Sequence, residues 1–253
     1  MKRREFLIKS ASFLLGGMAG LGGLPRAFAA PVKPRLAIII DDIGHSLSKA
    51  RRFLDLSVPI TFAILPRLSH SHDLAHEIHL AGHEIMLHQP MEPCDRALSP
   101  GPGALYVGDG GGRIVKVMEE NISEIPFAIG VNNHMGSRFT ASRREVQQAL
   151  GVLCETNLFF VDSLTSSHSV AYETARDLDV PAAFRHVFLD HDPREGAILH
   201  SLERLRLHAL KYGRGIGIGH PHPETARAIG RFVRKFADAG LSLAHISELI
   251  RPA

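Results

Sequence analysis

The chain has 253 residues, of which 45% are hydrophobic, and a formal net charge of +3 at pH 7. That length suits one large α/β domain or two small ones, and no composition shift after the N-terminal segment indicates a second domain. The first 29 residues carry five basic residues and one acid, so the rest of the chain has a net charge of about −1. This balance gives no electrostatic support for nucleic-acid binding, and we expect no nucleic-acid partner.

The N-terminal segment has the composition of an export signal. Paired arginines, Arg3 and Arg4, precede a weakly hydrophobic, glycine-rich stretch and an Ala-x-Ala site that ends at Ala29. This order predicts a twin-arginine signal peptide over residues 1–29. A transmembrane anchor is the alternative, but five glycines interrupt a stretch that is already short for a bilayer. We therefore predict a periplasmic or secreted domain, residues 30–253, with no stable membrane insertion after cleavage.

From residue 36 onward, short apolar strands alternate with amphipathic helices. Strands are predicted at 36–40, 60–65, 84–87, 128–131, 158–161, 184–189, 215–219 and 241–244. Helices are predicted at 46–56, 71–81, 114–125, 142–155, 170–178, 193–212 and 224–239, with a further helix at the C-terminus. Regular alternation predicts an α/β fold, a distorted (β/α) barrel of about seven parallel strands. No glycine-rich dinucleotide fingerprint follows any strand, which argues against a doubly wound nucleotide-binding fold.

Polar residues come directly after these apolar runs. They are Asp41, Asp42, His88, Asn133, His134, Asp162, Asp190 and His220. Because the carboxyl ends of parallel barrel strands converge on one face, the sequence predicts a site there. The alternative is structural, since an aspartate is a favoured helix N-cap and a histidine is often a hydrogen-bonded core residue. One long Pro/Gly-rich connection, residues 93–112, has the length typical of a lid or binding loop.

Two adjacent acids at a strand end allow one to hold a metal while the other accepts or donates protons, which favours a role for Asp41 and Asp42.

Other groups of polar residues are less informative. Four histidines lie in or just before the helix predicted at 71–81, and we interpret them as a solvated helix face. Cys94 and Cys154 have no metal-ligand spacing, and the sequence does not decide whether they pair.

Five strings of residues carry a resemblance to a known family. They are Ile-Ile-Asp-Asp-Ile-Gly at 39–44, Gly-His-Glu-Ile-Met-Leu-His-Gln-Pro-Met-Glu at 82–92, Gly-Val-Asn-Asn-His-Met-Gly-Ser-Arg-Phe at 130–139, Phe-Phe-Val-Asp-Ser at 159–163 and Ile-Gly-His-Pro at 218–221. With these strings the chain resembles the divergent polysaccharide deacetylases, distant relatives of metal-dependent esterases that remove acetyl groups from chitin, peptidoglycan and similar glycans. The resemblance implies a polysaccharide substrate and zinc or another divalent cofactor.

The resemblance also implies roles for individual residues. Asp41 corresponds to the general base, and His220 corresponds to the general acid. Asp42 and His88 correspond to metal ligands, and Arg138 is the candidate for the arginine that orients the base. The long loop is then expected at the rim of a glycan cleft.

The chain departs from the family pattern at position 92, where Glu92 replaces the second histidine ligand. Pro90 fixes the backbone between His88 and Glu92, which disfavours a helical turn that would bring them together. His134 ends the next strand, and neighbouring strands are about 5 Å apart. We therefore predict Asp42, His88 and His134 as the ligands.

The sequence leaves two alternatives to deacetylation open. One is a non-catalytic periplasmic glycan-binding protein that has kept the cleft and lost turnover. The other is a metal-dependent hydrolase that acts on a different amide or ester. Oligomeric state is also left open.

Overall fold

A computed structural model of the chain describes residues 33–236 and 240–250. The predicted signal peptide lies outside the described residues. The strands are β1 (Arg35–Ile43), β2 (Thr61–Ile64), β3 (Glu84–Met91), β4 (Ala128–Met135), β5 (Phe159–Asp162), β6 (Ala182–Phe184), β7 (Val187–Phe188), β8 (Arg214–Gly219) and β9 (Ser242–Leu243). The helices are α1 (Leu47–Leu54), α2 (Ser71–Leu80), α3 (Gly111–Glu124), α4 (Arg143–Gly151), α5 (Ala171–Asp177), α6 (Glu195–Tyr212), α7 (Pro223–Phe236) and α8 (Ser247–Ile250). Short 3-10 turns occur at Phe139–Ala141 and Val152–Glu155.

The strands form one curled sheet in the order β6-β5-β4-β3-β2-β1-β8-β7, with β9 beside the start of β1. All of the pairings along this sheet are parallel. The two ends of the path, β6 and β7, follow each other in the chain but do not pair within the described residues. The sheet is therefore an incompletely closed barrel wrapped by helices, which confirms the predicted α/β barrel class.

The strand predicted at 184–189 is wrong in one respect, because the chain changes partner in its middle. β6 pairs with β5, whereas β7 pairs with β8 on the other side of the opening. The backbone N–H of Arg185 donates to Asp162 O at 3.0 Å, and that of His186 donates to Ile216 O at 2.9 Å. A single apolar run thus supplies a strand to both edges of the sheet, and the backbone between them bridges the opening.

Alternating residues of each strand face two different apolar layers. Leu36, Ile38 and Ile40 pack in the layer between the sheet and the helices, while Ala37 and Ile39 pack inside the barrel. Inside the barrel they meet Ala63, Met86, Phe159, Val161, Ile216 and Ile218. Since side chains in a strand repeat every second residue, residues two or four further along face the same interior. The interior lining therefore becomes polar at the carboxyl ends of the strands.

Several strands continue beyond their apolar runs. β3 and β4 remain paired through His88 with Asn132 and Pro90 with His134. The predicted ends at 87 and 131 are therefore too early, because the hydrogen bonds of the ladder use backbone groups that the polarity of the side chain does not affect. In consequence the candidate site residues are held by strands rather than by loops.

The long connection after β3 is fixed to the barrel by a buried polar network. The amide of Asn121, on α3, donates to Gln89 Oε1 and to Gly103 O, each at 2.8 Å. The same side chain accepts a hydrogen bond from Arg67 Nε at 2.8 Å. Gly103 has a φ of +71°, and a Cβ there would lie 2.6 Å from Asn121 Oδ1. The loop is therefore a fixed wall.

We expect Asn121→Ala to destabilise the protein by about 1–3 kcal/mol, because its partners lose their hydrogen bonds in a buried setting. Urea unfolding measures this loss, and limited proteolysis measures the freedom of the loop. Gln147→Ala, on the exposed surface of α4, is the control and is expected to change neither. Unchanged stability and unchanged cleavage within the loop would contradict the role given to Asn121.

Within the described residues, no helix is long and apolar enough to cross a membrane. Cys94 and Cys154 are both exposed and unpaired.

Candidate active site

Three side chains converge at the carboxyl end of the barrel. Asp42 Oδ1 lies 2.9 Å from His134 Nδ1 and 3.1 Å from His88 Nε2. The two imidazole nitrogens are 3.2 Å apart. Among the described residues, this is the group of histidine, cysteine and acidic side chains that could hold a metal ion. The structure thus brings the three predicted ligands together, and metal binding by them stays a prediction.

A local irregularity lets two consecutive acids face one site. Adjacent residues in a regular strand point to opposite faces, so Asp41 and Asp42 would normally diverge. The pairing of β1 with β2 shifts register between Ile40 and Ile43. Asp42 has a φ of +57°, a left-handed conformation that aspartate tolerates better than most residues. This bulge turns the Asp42 carboxylate toward the histidines while Asp41 keeps the orientation of the barrel interior.

Asn132 fixes the orientation of His88. The network assigns a hydrogen bond from His88 Nδ1–H to Asn132 Oδ1 at 2.8 Å, and Asn132 Nδ2 donates to Asp41 Oδ1 at 2.8 Å. In protonated His88, Nε2–H donates to Asp42 Oδ1 at 3.1 Å; in neutral His88 the lone pair of Nε2 points at that oxygen, so two acceptors then face each other. A cation between them removes this repulsion. Holding the far nitrogen of a ligating histidine in this way is typical of metal sites.

The donor set and its spacing fit a divalent ion such as zinc. One carboxylate and two imidazoles are common zinc ligands, and such a set leaves a coordination position open. Adjacent ligand atoms around tetrahedral zinc, with bonds of about 2.0–2.1 Å, are about 3.3 Å apart. The corresponding distances here are 2.9, 3.1 and 3.2 Å. The cluster therefore suits a metal ion without rearrangement of its strands.

Asp41 lies beside the cluster but outside it. Its side chain is buried, and its Oδ2 is 3.7 Å from His88 Nε2. Burial raises the pKa of Asp41 above its ordinary value, although the nearby imidazoles of His88 and His220 oppose this shift. For Asp42, burial acts in the same direction, but hydrogen bonds from His134 and His88 outweigh it and lower the pKa. The pKa values of the two adjacent acids are therefore shifted in opposite directions, which gives the two side chains different chemical roles.

His220 is held by Asp190. Its Nδ1–H donates to Asp190 Oδ1 at 2.9 Å, and its backbone N–H donates to Oδ2 at 2.6 Å. Burial lowers the pKa of His220, but Asp190 and Asp41 outweigh this effect and raise it to about 9. His220 Nε2 lies 3.9 Å from Asp42 Oδ2, so a protonated imidazole faces the cluster near neutral pH. The sequence placed Asp190 at a strand end but did not identify it as the partner of His220.

The prediction for Arg138 requires correction. Its guanidinium donates to Glu92 Oε1 at 2.9 Å and lies in a depression away from Asp41. Arg185 lines the cavity that contains Asp41, and its Nε and Nη2 donate to Ser163 O at 2.7 Å and Leu164 O at 2.8 Å. Arg138 lies in the loop after β4, whereas Arg185 lies where the chain crosses between β6 and β7. The sequence missed it because that region reads as one continuous strand.

Glu92 turns away from the cluster. Its Oε2 accepts the backbone N–H of Val107 at 2.8 Å, and its Oε1 is paired with Arg138. Because β3 stays extended to Met91, residues 88 and 92 are about 13 Å apart along the strand. Glu92 therefore braces the long loop at the rim.

Two other predicted strand-end residues have structural partners. Asp162 accepts hydrogen bonds from Leu164 N, Ser169 Oγ and Tyr172 N, which fixes the loop before α5. Asn133 accepts from Ser163 N and donates to Met135 O. The sequence analysis did not identify Asn132 as a site residue. Asn132 lies two residues before His134 in β4, so both side chains face the same side of the strand.

The cluster opens into a cavity of about 370 Å³. Its lining includes Asp41, His88, His134, Arg185, Phe188, Ile218 and His220. A larger depression of about 580 Å³ lies between α1 and α7. Arg227 and Arg231 in that depression pair with Glu195, at 3.1 and 2.8 Å, and its lining contains no histidine and none of the candidate metal ligands. The smaller cavity is the candidate active site.

The fold and the site together define a barrel of the polysaccharide deacetylase type. The chain belongs to the divergent polysaccharide deacetylase family, whose sequence pattern matches residues 38–250.

Similar proteins agree with this membership. An uncharacterized Escherichia coli K12 protein, YibQ, is 34% identical over 211 residues, which cover 82% of this chain and 65% of that protein. The chain therefore spans slightly less than two thirds of the length of this relative. The crystal structure of an uncharacterized protein, ATU2773, from Agrobacterium tumefaciens C58 has a TM-score of 0.83 at 25% identity, covering 89% of this chain and 92% of that one.

A more distant likeness supports the fold alone. The Bc1960 peptidoglycan N-acetylglucosamine deacetylase has a TM-score of 0.55 at 13% identity, covering 87% of this chain and 90% of that one.

Proposed function

We propose that this protein is a metal-dependent hydrolase that removes acetyl groups from a polysaccharide, with zinc or another divalent ion as cofactor. The observation that carries the proposal is the Asp42, His88 and His134 cluster, which lies between the buried carboxylate of Asp41 and the imidazole of His220. Family membership supports a polysaccharide as the substrate class.

The roles of the residues follow from their positions. Asp42, His88 and His134 would hold the metal ion, which when bound supplies a Lewis acid and makes water more acidic. Asp41 accepts the proton of the attacking water, since its raised pKa gives it the higher proton affinity of the two acids. His220 then donates a proton to the departing amine or alkoxide as its bond to the acetyl carbon breaks. Asp190 holds His220 in the orientation and charge state needed for that donation.

The direct test is acetate release from acetylated chitooligosaccharide, peptidoglycan and acetylxylan by the zinc-loaded protein. Release from one of these substrates supports the proposal. A protein that carries metal and binds a glycan but releases no acetate would instead be a glycan-binding protein, and the replacement of a histidine ligand by Glu92 favours that second candidate. Turnover of a different amide or ester alone would assign another hydrolase activity, which the cavity volume of about 370 Å³ also permits.

The His220 and Asp190 pair predicts a pH dependence. A general acid must be protonated, and the pKa of about 9 keeps His220 protonated until the pH rises through that value. The plot of kcat/KM against pH should therefore descend near pH 9. In Asp190→Asn the loss of the anion lowers the pKa of His220, so the descending limb moves to lower pH by at least about one unit. An unmoved limb in this variant would contradict the assignment of His220 as the acid.

We propose further that the protein is exported to the periplasm or beyond by the twin-arginine route. Replacing both Arg3 and Arg4 with lysine is expected to leave the precursor uncleaved in the cytoplasm, since the route depends on that pair. Immunoblotting of cell fractions measures the outcome. Export and cleavage of the double variant through the general secretory route would refute the proposed pathway.

A further inference from the structure

A second depression adjoins the candidate active site and has a different chemical character. It has a volume of about 180 Å³ and lies between the loop that follows β1 and the loop that follows β8. Its lining is Asp42, Ile43, Gly44, His45, Ser46, Lys49, His220, Pro221 and His222. His220 lines both this depression and the active-site cavity, and Asp42 belongs to the candidate metal cluster, so a molecule held at the catalytic centre lies next to the depression.

The depression is rich in unpaired hydrogen-bond donors. Lys49, at the start of α1, is exposed and forms no ion pair with any described residue. His45 and His222 are also exposed, and each imidazole offers at least one N–H donor in either protonation state. Donors without acceptors on the protein are available to an external anion.

The acidic side chain in the lining neither neutralises Lys49 nor accepts hydrogen bonds from these donors. Asp42 is the acidic residue of the depression, and its carboxylate already interacts with His88 and His134. Arg51, on the same helix, is paired with Glu77 at 2.7 Å, whereas Lys49 has no ion-pair partner among the described residues. Lys49 is therefore a positive charge without an acidic partner, and it lies next to the site.

The wall of the depression is fixed in position. Gly44 has a φ of +129°, and a Cβ there would lie 2.9 Å from Ser71 Oγ, so this loop packs tightly against α2. On the other side, the backbone N–H of His222 donates to His220 O at 2.7 Å. The backbone that carries the donors is thus preformed, which lowers the entropic cost of binding.

We propose that this depression is a subsite for a carboxylate on the substrate, so that the protein acts on an acidic, acetylated polysaccharide. The inference rests on the proposed function, because it places the carboxylate on the same or a neighbouring sugar as the acetyl group that lies at Asp41 and His220. Lys49 supplies the charge, and His45 and His222 supply N–H donors. The active-site cavity, lined in part by Phe188 and Ile218, receives the less polar acyl side of the substrate.

The test compares two probes that differ only in charge. One is an oligosaccharide of alternating N-acetylglucosamine and N-acetylmuramic acid, and the other is the same molecule with its lactyl carboxylates converted to methyl esters. Calorimetry measures their binding to the zinc-loaded Asp41→Asn protein, in which turnover is suppressed. We expect the acid to bind about three- to tenfold more tightly than the ester, as one or two exposed charged contacts allow. This preference should shrink at high salt.

Variants of Lys49 identify the source of the preference. Lys49→Glu should remove or reverse it without changing the affinity for the ester, and Lys49→Gln should reduce it. Lys116→Glu, on the exposed surface of α3 and outside both cavities, is the matched control and should leave the preference intact. Equal affinities for acid and ester, no binding of either probe, or a preference that survives Lys49→Glu would overturn the proposal.

The outcomes separate this inference from the proposed function. A carboxylate preference in a protein that releases no acetate would support the subsite and refute the deacetylase activity. Acetate release by the wild-type protein with equal kcat/KM for acid and ester would support the activity and overturn the subsite.

Discussion

Asp41→Asn is expected to lower acetate release by at least about a hundredfold, the usual cost of losing a general base. The substitution is nearly isosteric, and the asparagine oxygen can still accept the hydrogen bond from Asn132 Nδ2 that Asp41 accepts at 2.8 Å. The side chain therefore keeps its place while it loses the ability to take a proton. Because Asp41 lies outside the Asp42, His88 and His134 cluster, bound zinc should stay close to one ion per protein.

Acetate release and zinc content are both measured on the same preparation, the second by elemental analysis. Asp73→Asn is the control, since its side chain is 78% exposed on α2 and faces no part of the site. This control should retain the activity and the metal of the wild type. Loss of zinc from Asp41→Asn would show that Asp41 is itself a ligand, and retained activity would remove it from the mechanism.

His134→Ala is expected to lower zinc affinity by orders of magnitude, because it removes one of three nitrogen and oxygen donors that converge within hydrogen-bond distance. Glu92→Gln should change zinc affinity far less. The glutamine keeps an oxygen for the backbone N–H of Val107, and Glu92 contacts the loop and Arg138 rather than the cluster. Losses at residues behind the ligands are typically about 10–100-fold at most.

Competition with a chromogenic chelator measures both affinities on folded protein. Circular dichroism and thermal unfolding verify that neither variant has lost its structure. If Glu92→Gln strips the zinc and His134→Ala retains it, the third ligand is misassigned and the long loop must approach the metal.

The alternation of apolar strands and helices was sufficient to predict the barrel class from the sequence. Burial requires each strand to be apolar, and right-handed crossover connections between parallel strands leave few arrangements for so regular an order. The polar residues after each run then had to share one face. Thus Asp41, Asp42, His88, His134 and His220 could all be predicted to meet, and the structure brings them to the same end of the barrel.

Side-chain partners across the barrel depend on tertiary structure. The assignment of Arg138 to the base failed because Arg138, in the loop after β4, is paired with Glu92 at 2.9 Å. Arg185 reaches the cavity of Asp41 only because the chain crosses from one sheet edge to the other at that point. No local pattern encodes either contact.

The sequence by itself determined the order of strands and helices in this protein and the polar residues that follow the apolar runs, because hydrophobic periodicity and strand alternation are local properties of the chain. Only the tertiary structure decided which of those polar residues touch. The bulge at Asp42, the hydrogen bond of Asn132 to His88 and that of Asp190 to His220 all depend on how neighbouring strands of the barrel align. A hydrogen bond between side chains requires that their atoms lie within about 3 Å. That distance depends on the register of the strands and the twist of the sheet, which are set by the packing of the whole barrel.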